Sequence, residues 1–367
     1  MKKEDDKMQA VTVRTDLAVE ARDMYVEREE TSKKVPGIKE TSDEENGVKI
    51  TTIEIDEHGE RSLNKKRGSY VTIFTDAIVR EDTVSQQNAA IALSKEIKKL
   101  LIKNNVKDDK KGLVVGLGNW NVTPDALGPM TVENVLVTNH LFELKYETVA
   151  SGYRPVSAIS PGVMGVTGME TSDIVKSIIK QFQPHFLIVV DALASRSIER
   201  INTTIQITDT GIHPGSGVGN RRKELSKDVL GIPVIAIGVP TVVDAVTIVS
   251  DTLHQLLKHL GRQMQEETTP RSSLLAGQLS IAHENLTDED VPDATNRSTL
   301  LGLIGNLDVE EQRQLFEEVL TPSGKNLIVT PKEVDTFLED MAHVVAQGIN
   351  SALHERVQYE KAANYTR

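Results

Sequence analysis

The sequence predicts an α/β fold: a doubly wound, mostly parallel sheet flanked by helices, with a smaller β-containing appendage and C-terminal helices. Two observations predict it. Through the middle of the chain, short apolar runs, Leu113 to Leu117, Phe186 to Val190 and Val234 to Ile237, alternate with segments of helical periodicity. Each run is apolar at every position and bounded by Gly, Pro or Asp, the pattern of strands buried on both faces.

The first 45 or so residues are polar and charged apart from an amphipathic stretch from Leu17 to Tyr25, which predicts a partly mobile arm open to cleavage. From Gly47 the chain becomes strand-like. Val48 to Ile55 and Tyr70 to Phe74 are rich in β-branched and aromatic residues, separated by turn signals at His58-Gly59 and Arg67-Gly68. Ala89, Leu93, Ile97 and Leu100 recur at helical spacing and place a helix over Ser85 to Leu101. Further helices are expected from Pro124 or Thr131 to Asn139, from Ser172 to Phe182, and from Val242 to Leu260. Gly261 to Ser298 is polar and reads as a long loop. Two helices should follow, the last with Thr330 as N-cap, Pro331 at its first position and Glu333 completing a capping box. These shifts divide the chain into an arm and small β-rich region (17–84), an α/β core (85–260), a linker (261–299) and C-terminal helices (300–367).

Composition narrows the function. The chain of 367 residues has 54 acidic and 42 basic side chains, a net charge of −12 that disfavours DNA and anionic membranes as partners. Aromatic residues make up 4%, too few to suggest stacking platforms for single-stranded nucleic acid. The absence of cysteine excludes a thiolate nucleophile, disulfides and cysteine-bound metal. Charged residues from Met1 to Lys7 lead into no apolar segment, and no run of about 20 apolar residues occurs, so a soluble, unexported protein is expected.

Three segments carry candidate chemistry. The first is Gly116-Leu117-Gly118-Asn119-Trp120-Asn121-Val122-Thr123-Pro124-Asp125-Ala126-Leu127-Gly128-Pro129, where the chain leaves a strand towards the crevice in which open α/β sheets bind ligands. Asp125 reads either as a reactive carboxylate or as a helix-start acid. Asn121 stands where a third glycine would complete a dinucleotide fingerprint, so that reading is weak. The second segment is Phe186 to Ala194, whose first polar residue, Asp191, is placed at a strand's carboxyl end; it faces the same crevice or caps a following helix. Two carboxylates in one cleft can share a proton, one activating water while the other protonates the leaving amine. The third is Asp209 to Asn220, a Gly-rich loop in which Gly215 and Gly217, like Gly116, Gly118 and Asn119, are candidates to hold a substrate backbone or an oxyanion, and His213 is a candidate base or metal ligand. Asp209-Thr210-Gly211 is not a pepsin-type site, because it lies among βα units and has no second such triplet. Gly215-Ser216-Gly217 lacks the spacing of a serine nucleophile elbow.

These segments, with Gly152 to Ser157, Asn202 to Gln206 and Ile235 to Asp244, resemble the spore germination proteases of endospore-forming Gram-positive bacteria over nearly the whole chain. The loop with Gly116, Gly118, Asn119, Asp125 and Gly128 is also similar to the hydrogenase-maturation endopeptidases, an α/β family. The first resemblance implies an atypical aspartic endopeptidase without a cofactor, with Asp125 and Asp191 as its catalytic pair. It implies an inactive homotetrameric precursor, made in the developing spore and kept in the spore core, that degrades small acid-soluble spore proteins on germination. Family substrates are cut after the acidic residue of a Thr-Glu-Phe/Ile-Ala-Ser-Glu type of motif. Thr15-Asp16-Leu17-Ala18-Val19-Glu20 matches it, with Asp for Glu and Leu for Phe or Ile as departures. Self-cleavage between Asp16 and Leu17, releasing a propeptide of residues 1–16, is therefore expected. A helix cap at Thr15 or Asp16 is the bland alternative. Rival functions are a metallopeptidase using Asp125, Asp191 and His213, and a noncatalytic protein that binds spore proteins.

Overall fold

The computed structural model describes residues 15–29, 35–144, 149–213, 223–265, 286–321 and 327–357. They fall into two compact units, one built from Arg14–Val243 with Thr330–Arg367, the other including Asp244–Val329.

The larger unit runs α1 (Ala18–Glu29), β1 (Ile38–Glu45), β2 (Val48–Ile55), α2 (Glu57–Leu63), β3 (Gly68–Phe74), α3 (Thr83–Lys103), β4 (Gly112–Gly116), α4 (Leu127–Glu133), α5 (Asn139–Glu143), β5 (Val156–Ile159), α6 (Met164–Thr167), α7 (Thr171–Phe182), β6 (Phe186–Ser195), β7 (Thr204–Thr208), α8 (Lys227–Leu230) and β8 (Val234–Asp244). One sheet collects the strands in the order β1-β2-β3-β7-β8-β6-β4-β5. Its core is parallel: β4 pairs with β5 and β6, and β6 with β8. β7 reverses direction against β8, and β3, β2 and β1 continue antiparallel from it, so the N-terminal strands extend the same sheet.

Helices cover both faces, as a sheet of apolar parallel strands requires. On one face, Leu93 and Ile97 of α3 and Leu338, Met341, Val345 and Ile349 of a C-terminal helix pack over Val114, Ile188, Val190, Ile205, Ile207 and Ile237. On the other, Val175 of α7 packs on Leu113, Val115, Leu187 and Val189, while Ala18 and Val19 of α1 meet Ile53, Ile55 and Tyr70. The smaller unit holds α9 (Ala245–Gln265), α10 (Ala294–Leu301) and α11 (Val309–Leu320), and β9 (Ile328–Val329). Asp293 caps α10, and Asp308 with Glu311 forms a capping box on α11. No described helix is long and apolar enough to cross a membrane.

Several boundaries differ from expectation for local reasons. β8 stays extended through Asp244, so α9 starts at Ala245 instead of Val242. The segment predicted as one helix after Pro124 is a single turn at Thr123–Asp125 followed by α4 and α5. α12 (Val334–Leu353) begins after Pro331, because the Thr330 hydroxyl donates to the Thr241 carbonyl at 2.8 Å instead of capping the helix. Residues 57–63, read as a turn around His58-Gly59, form α2, whose cap is Asp56: its carboxylate accepts from the His58 and Gly59 amides.

The C-terminal end of α12 is tied to the body by His354, which is fully buried. Its Nδ1 accepts from the Arg154 amide at 3.2 Å, so the proton sits on Nε2, which lies 3.2 Å from the Leu136 carbonyl. Burial pushes its pKa down to about 4 from 6.5; the Leu136 bond opposes this and the Arg154 charge assists it. The folded state therefore holds the neutral ring while the unfolded chain takes up a proton below pH 6.5. Stability is fully present above pH 6.5 and should fall by about 3 kcal/mol as the pH drops from 6.5 towards 4. Urea denaturation across that window should show a smaller loss for His354→Gln than for the wild type, whatever the variant's stability at pH 7.

Candidate active site

The parallel strands β4, β6 and β8 end at one edge of the sheet, and both candidate carboxylates are there. β4 hands over to the loop with Gly116 opposite Val190, and the Leu117 amide continues the ladder to the Val190 carbonyl at 2.8 Å. Asp191 is the next residue of β6. It is 6% exposed, and its Oδ1 accepts from the Ala192 amide at 3.0 Å. The strand does not stop there: residues through Ser195 remain extended, so Asp191 is a carboxylate inside a buried strand and not the cap of a helix.

Close backbone packing brings the loop of Asp125 onto this edge. Cβ atoms at Gly116 and Gly128 would overlap the Gly128 and Leu117 carbonyl oxygens respectively, so the start of α4 lies directly on the ends of β4 and β6 only because both residues are glycine. Gly118, at φ +115°, turns the loop so tightly that a Cβ there would overlap the Asp125 carbonyl oxygen. That carbonyl accepts from the Asn119 amide at 3.0 Å, closing a loop that ends in the turn Thr123–Asp125. A β-bulge completes the attachment. Leu193 pairs with Pro240 but Ala194 with Val242, leaving Thr241 as the extra residue of β8. The Thr241 hydroxyl donates to the Pro124 carbonyl at 2.7 Å, next to the partly exposed Asp125.

The segment around Asp16 lies against the same strand. The Asp16 amide donates to the Ala194 carbonyl at 3.1 Å, and the Ala194 amide donates to Asp16 Oδ2 at 3.0 Å. Leu17 is fully buried, and Ala18 with it. Thr15 Oγ1 accepts from the Leu17 amide at 3.0 Å and donates to Glu20. The buried Glu20 carboxylate accepts from the Arg196 and Ser197 amides at 2.7 and 3.0 Å. Gln206 holds both sides of the Asp16–Leu17 junction: its Oε1 accepts from the Ala18 amide at 2.7 Å and its Nε2 donates to the Asp16 carbonyl at 3.1 Å. Lys65 Nζ donates to the Thr15 and Asp16 carbonyls, each at 3.0 Å. Asp191, Gly238 and Gln206 are register partners across β6, β8 and β7, so they lie in one row on one face of the sheet.

His213 is placed elsewhere. β7 runs antiparallel to β8, so the chain leaves it where the parallel strands begin. Ile212 pairs with Leu225, which packs on Leu113, Leu187 and Val234 near the starts of β4, β6 and β8, and His213 Nε2 is 3.9 Å from Glu224. Among the described residues no cluster of three His, Asp or Glu side chains could hold a metal ion. Gly215 and Gly217 lie outside the described residues.

Asp125, Asp191, Gln206 and Lys65 all lie within the region that matches a known family, whereas Thr15, Asp16 and Leu17 precede it. The family model for germination proteases matches residues 18–366. The chain belongs to the germination protease family. It is 60% identical over 358 residues to a germination protease of Oceanobacillus iheyensis, covering 97% of this chain and 98% of that one. Germination proteases of Bacillus licheniformis and Bacillus mycoides are each 56% identical, over 354 and 356 residues, with 96% and 97% of both chains covered. Membership makes the chain a peptidase, a hydrolase acting on protein substrates in spore germination.

Sequence reasoning did not single out Lys65, Thr241 or the Arg196 and Ser197 amides. Gln206 has a visible signal, a lone amide between Ile205 and Ile207 in a buried strand. Thr241 could be sought only through the bulge, which leaves no mark in composition. The site geometry makes one direct prediction: Gly118→Ala adds a Cβ in a backbone region that costs about 1–3 kcal/mol for other residues and must push the Asp125 carbonyl away. The variant should lose peptidase activity by at least tenfold while keeping a cooperative thermal transition, measured by turnover and melting on the same preparation.

Proposed function

We propose that the chain is a self-cleaving zymogen that cuts between Asp16 and Leu17, releasing residues 1–16, and that Asp125 and Asp191 together activate the attacking water. The observation that carries this reading is the docking of residues 15–20 on the strand that bears Asp191, with Asp16 paired to Ala194 three residues further along. In the row that contains Asp191, Gly238 has no side chain and Gln206 grips the junction, so the bond lies over the sheet face from which Asp191 projects.

The contacts also account for the cleavage motif. An acidic residue before the cut is read by the Ala194 amide, and the apolar residue and the alanine after it are both completely enclosed. The acid two residues after Ala18, Glu20, is read by two consecutive amides at Arg196 and Ser197. Small acid-soluble spore proteins carrying the related motif are the substrates this reading assigns, taken in turn once residues 1–16 have left. A homotetramer in the developing spore, with the spore core as its place of action, belongs to the same proposal and rests on the family alone. The division into propeptide, arm, core, linker and C-terminal helices is retained as a functional map, with the propeptide as its testable part.

Asp125→Asn and Asp191→Asn should each lower cleavage of a peptide spanning Thr15 to Ala21 by at least about a hundredfold, the lower range for losing a positioned acid–base group, with folding retained by circular dichroism. Chelator should leave wild-type turnover unchanged; loss of activity restored by one added metal would move the assignment to metal catalysis. Removing the Glu20 carboxylate deletes three charge-assisted hydrogen bonds, from Thr15 Oγ1 and the Arg196 and Ser197 amides, each worth about 1.5–3 kcal/mol. Glu20→Ala should therefore slow self-cleavage tenfold or more, followed by intact mass.

A further inference from the structure

We infer that Lys65 and Gln206 form the oxyanion site for cleavage after Asp16, an inference that rests on the reading of Asp16–Leu17 as the scissile bond. The carbonyl oxygen of Asp16 receives two side-chain donors, Lys65 Nζ at 3.0 Å and Gln206 Nε2 at 3.1 Å. Both donors thus already hold the ground-state carbonyl oxygen, and we take them to stay with it as it gains charge when the carbon becomes tetrahedral. Gln206 is oriented for the task. Its Oε1 is committed to the Ala18 amide, which turns its Nε2 towards Asp16. Lys65 follows Asn64, whose left-handed backbone at φ +51° ends α2 and sends the next side chain over the sheet. Its amine is shielded from solvent, which lowers its pKa against the pull of the Asp16 and Glu20 carboxylates. A donor stripped of water strengthens its remaining hydrogen bonds.

In the Gly-rich loop first considered for this role, the Leu117 and Asn119 amides already donate to the Val190 and Asp125 carbonyls. The Asp191 row supplies the distance argument. Two strand spacings separate Asp191 from Gln206, about 10 Å between backbones, and the intervening Gly238 leaves that interval to the two flanking side chains and to Leu193, which packs on its backbone.

The step balances as follows in atoms and charge. Water oxygen adds to the Asp16 carbonyl carbon, one water proton passes to a carboxylate of the pair, and the C=O π electrons move onto the oxygen held by Lys65 and Gln206. When that oxygen re-forms its double bond, the C–N bond breaks and the Leu17 nitrogen takes the proton from the carboxylic acid. The products are a carboxyl group on Asp16 and a free amine on Leu17.

The test follows first-order self-cleavage of the full chain by intact mass, with hydrogen exchange of residues 16–20 on the same samples. Wild type is compared with Lys65→Met, which keeps length and removes the charge, and with Lys65→Arg. Lys65→Met should cut at least a hundredfold more slowly while the Asp16 and Ala18 amides, bonded to Ala194 and Gln206, keep their protection; Lys65→Arg should recover part of the rate. A Lys65→Met rate within threefold of wild type would overturn the inference, as would slow cutting accompanied by loss of protection, which marks Lys65 as a clamp only. Wild type cut at another bond, or at none from pH 5 to 8, would remove the underlying reading and the inference with it.

Discussion

The glycine contact between the end of β4 and the start of α4 is the constraint on which the carboxyl edge depends. Parallel strands covered on both faces present their ends to a crevice, but a helix normally stands off by the thickness of its side chains. Here Gly116 and Gly128 remove that thickness, and backbone meets backbone. The Asp125 end of the loop is consequently tied down at the sheet edge, with Gly118 making the turn and Thr241 of β8 holding it at Pro124, while Trp120 and Val122 at its tip stay exposed. A methyl group at any of the three glycines moves Asp125 relative to Asp191. The apolar strands thus act as a rigid rack that holds the two candidate carboxylates, Asp191 within β6 and Asp125 in the loop after β4.

The antiparallel half of the sheet has a different task. β7 and β3 widen the face beside Asp191, and its row is polar across several strands: Gln206 pairs with Thr72, and Thr72 with Thr51. Polar residues buried in such a row need partners. Gln206 finds its partners in the backbone of residues 16 to 18, so main-chain and buried side-chain bonds hold the start of the arm. The same chain segment is in this account lock and substrate. On that account the cut frees the Ala194 amide from Asp16, while Glu20 stays with the remaining chain on the Arg196 and Ser197 amides.

Much of this was legible in the sequence because burial on both faces leaves an unmistakable pattern. Phe186 to Val190 and Leu113 to Leu117 are uninterrupted apolar runs, and the first polar residue after one of them, Asp191, is where the chemistry is drawn. Legibility failed where long-range contacts override local preference. Thr330 has the composition of a helix cap yet spends its hydroxyl on Thr241, and Val242 to Asp244 carry a helical stripe yet pair with β6 or extend from it. The first 45 or so residues read as a partly mobile arm because the groups that hold Asp16, on Ala194, Gln206 and Lys65, are 178, 190 and 49 residues away in the chain. The metallopeptidase alternative groups His213 with Asp125 and Asp191, but the reversal of β7 carries it to the other end of the sheet.

The most direct measurement is the N-terminal sequence and intact mass of the purified full chain after incubation at mildly acidic pH, beside Asp191→Asn treated identically. A wild-type product beginning at Leu17, absent from the variant, is the result this account predicts. A product with another N-terminus, or equal processing by the variant, contradicts it.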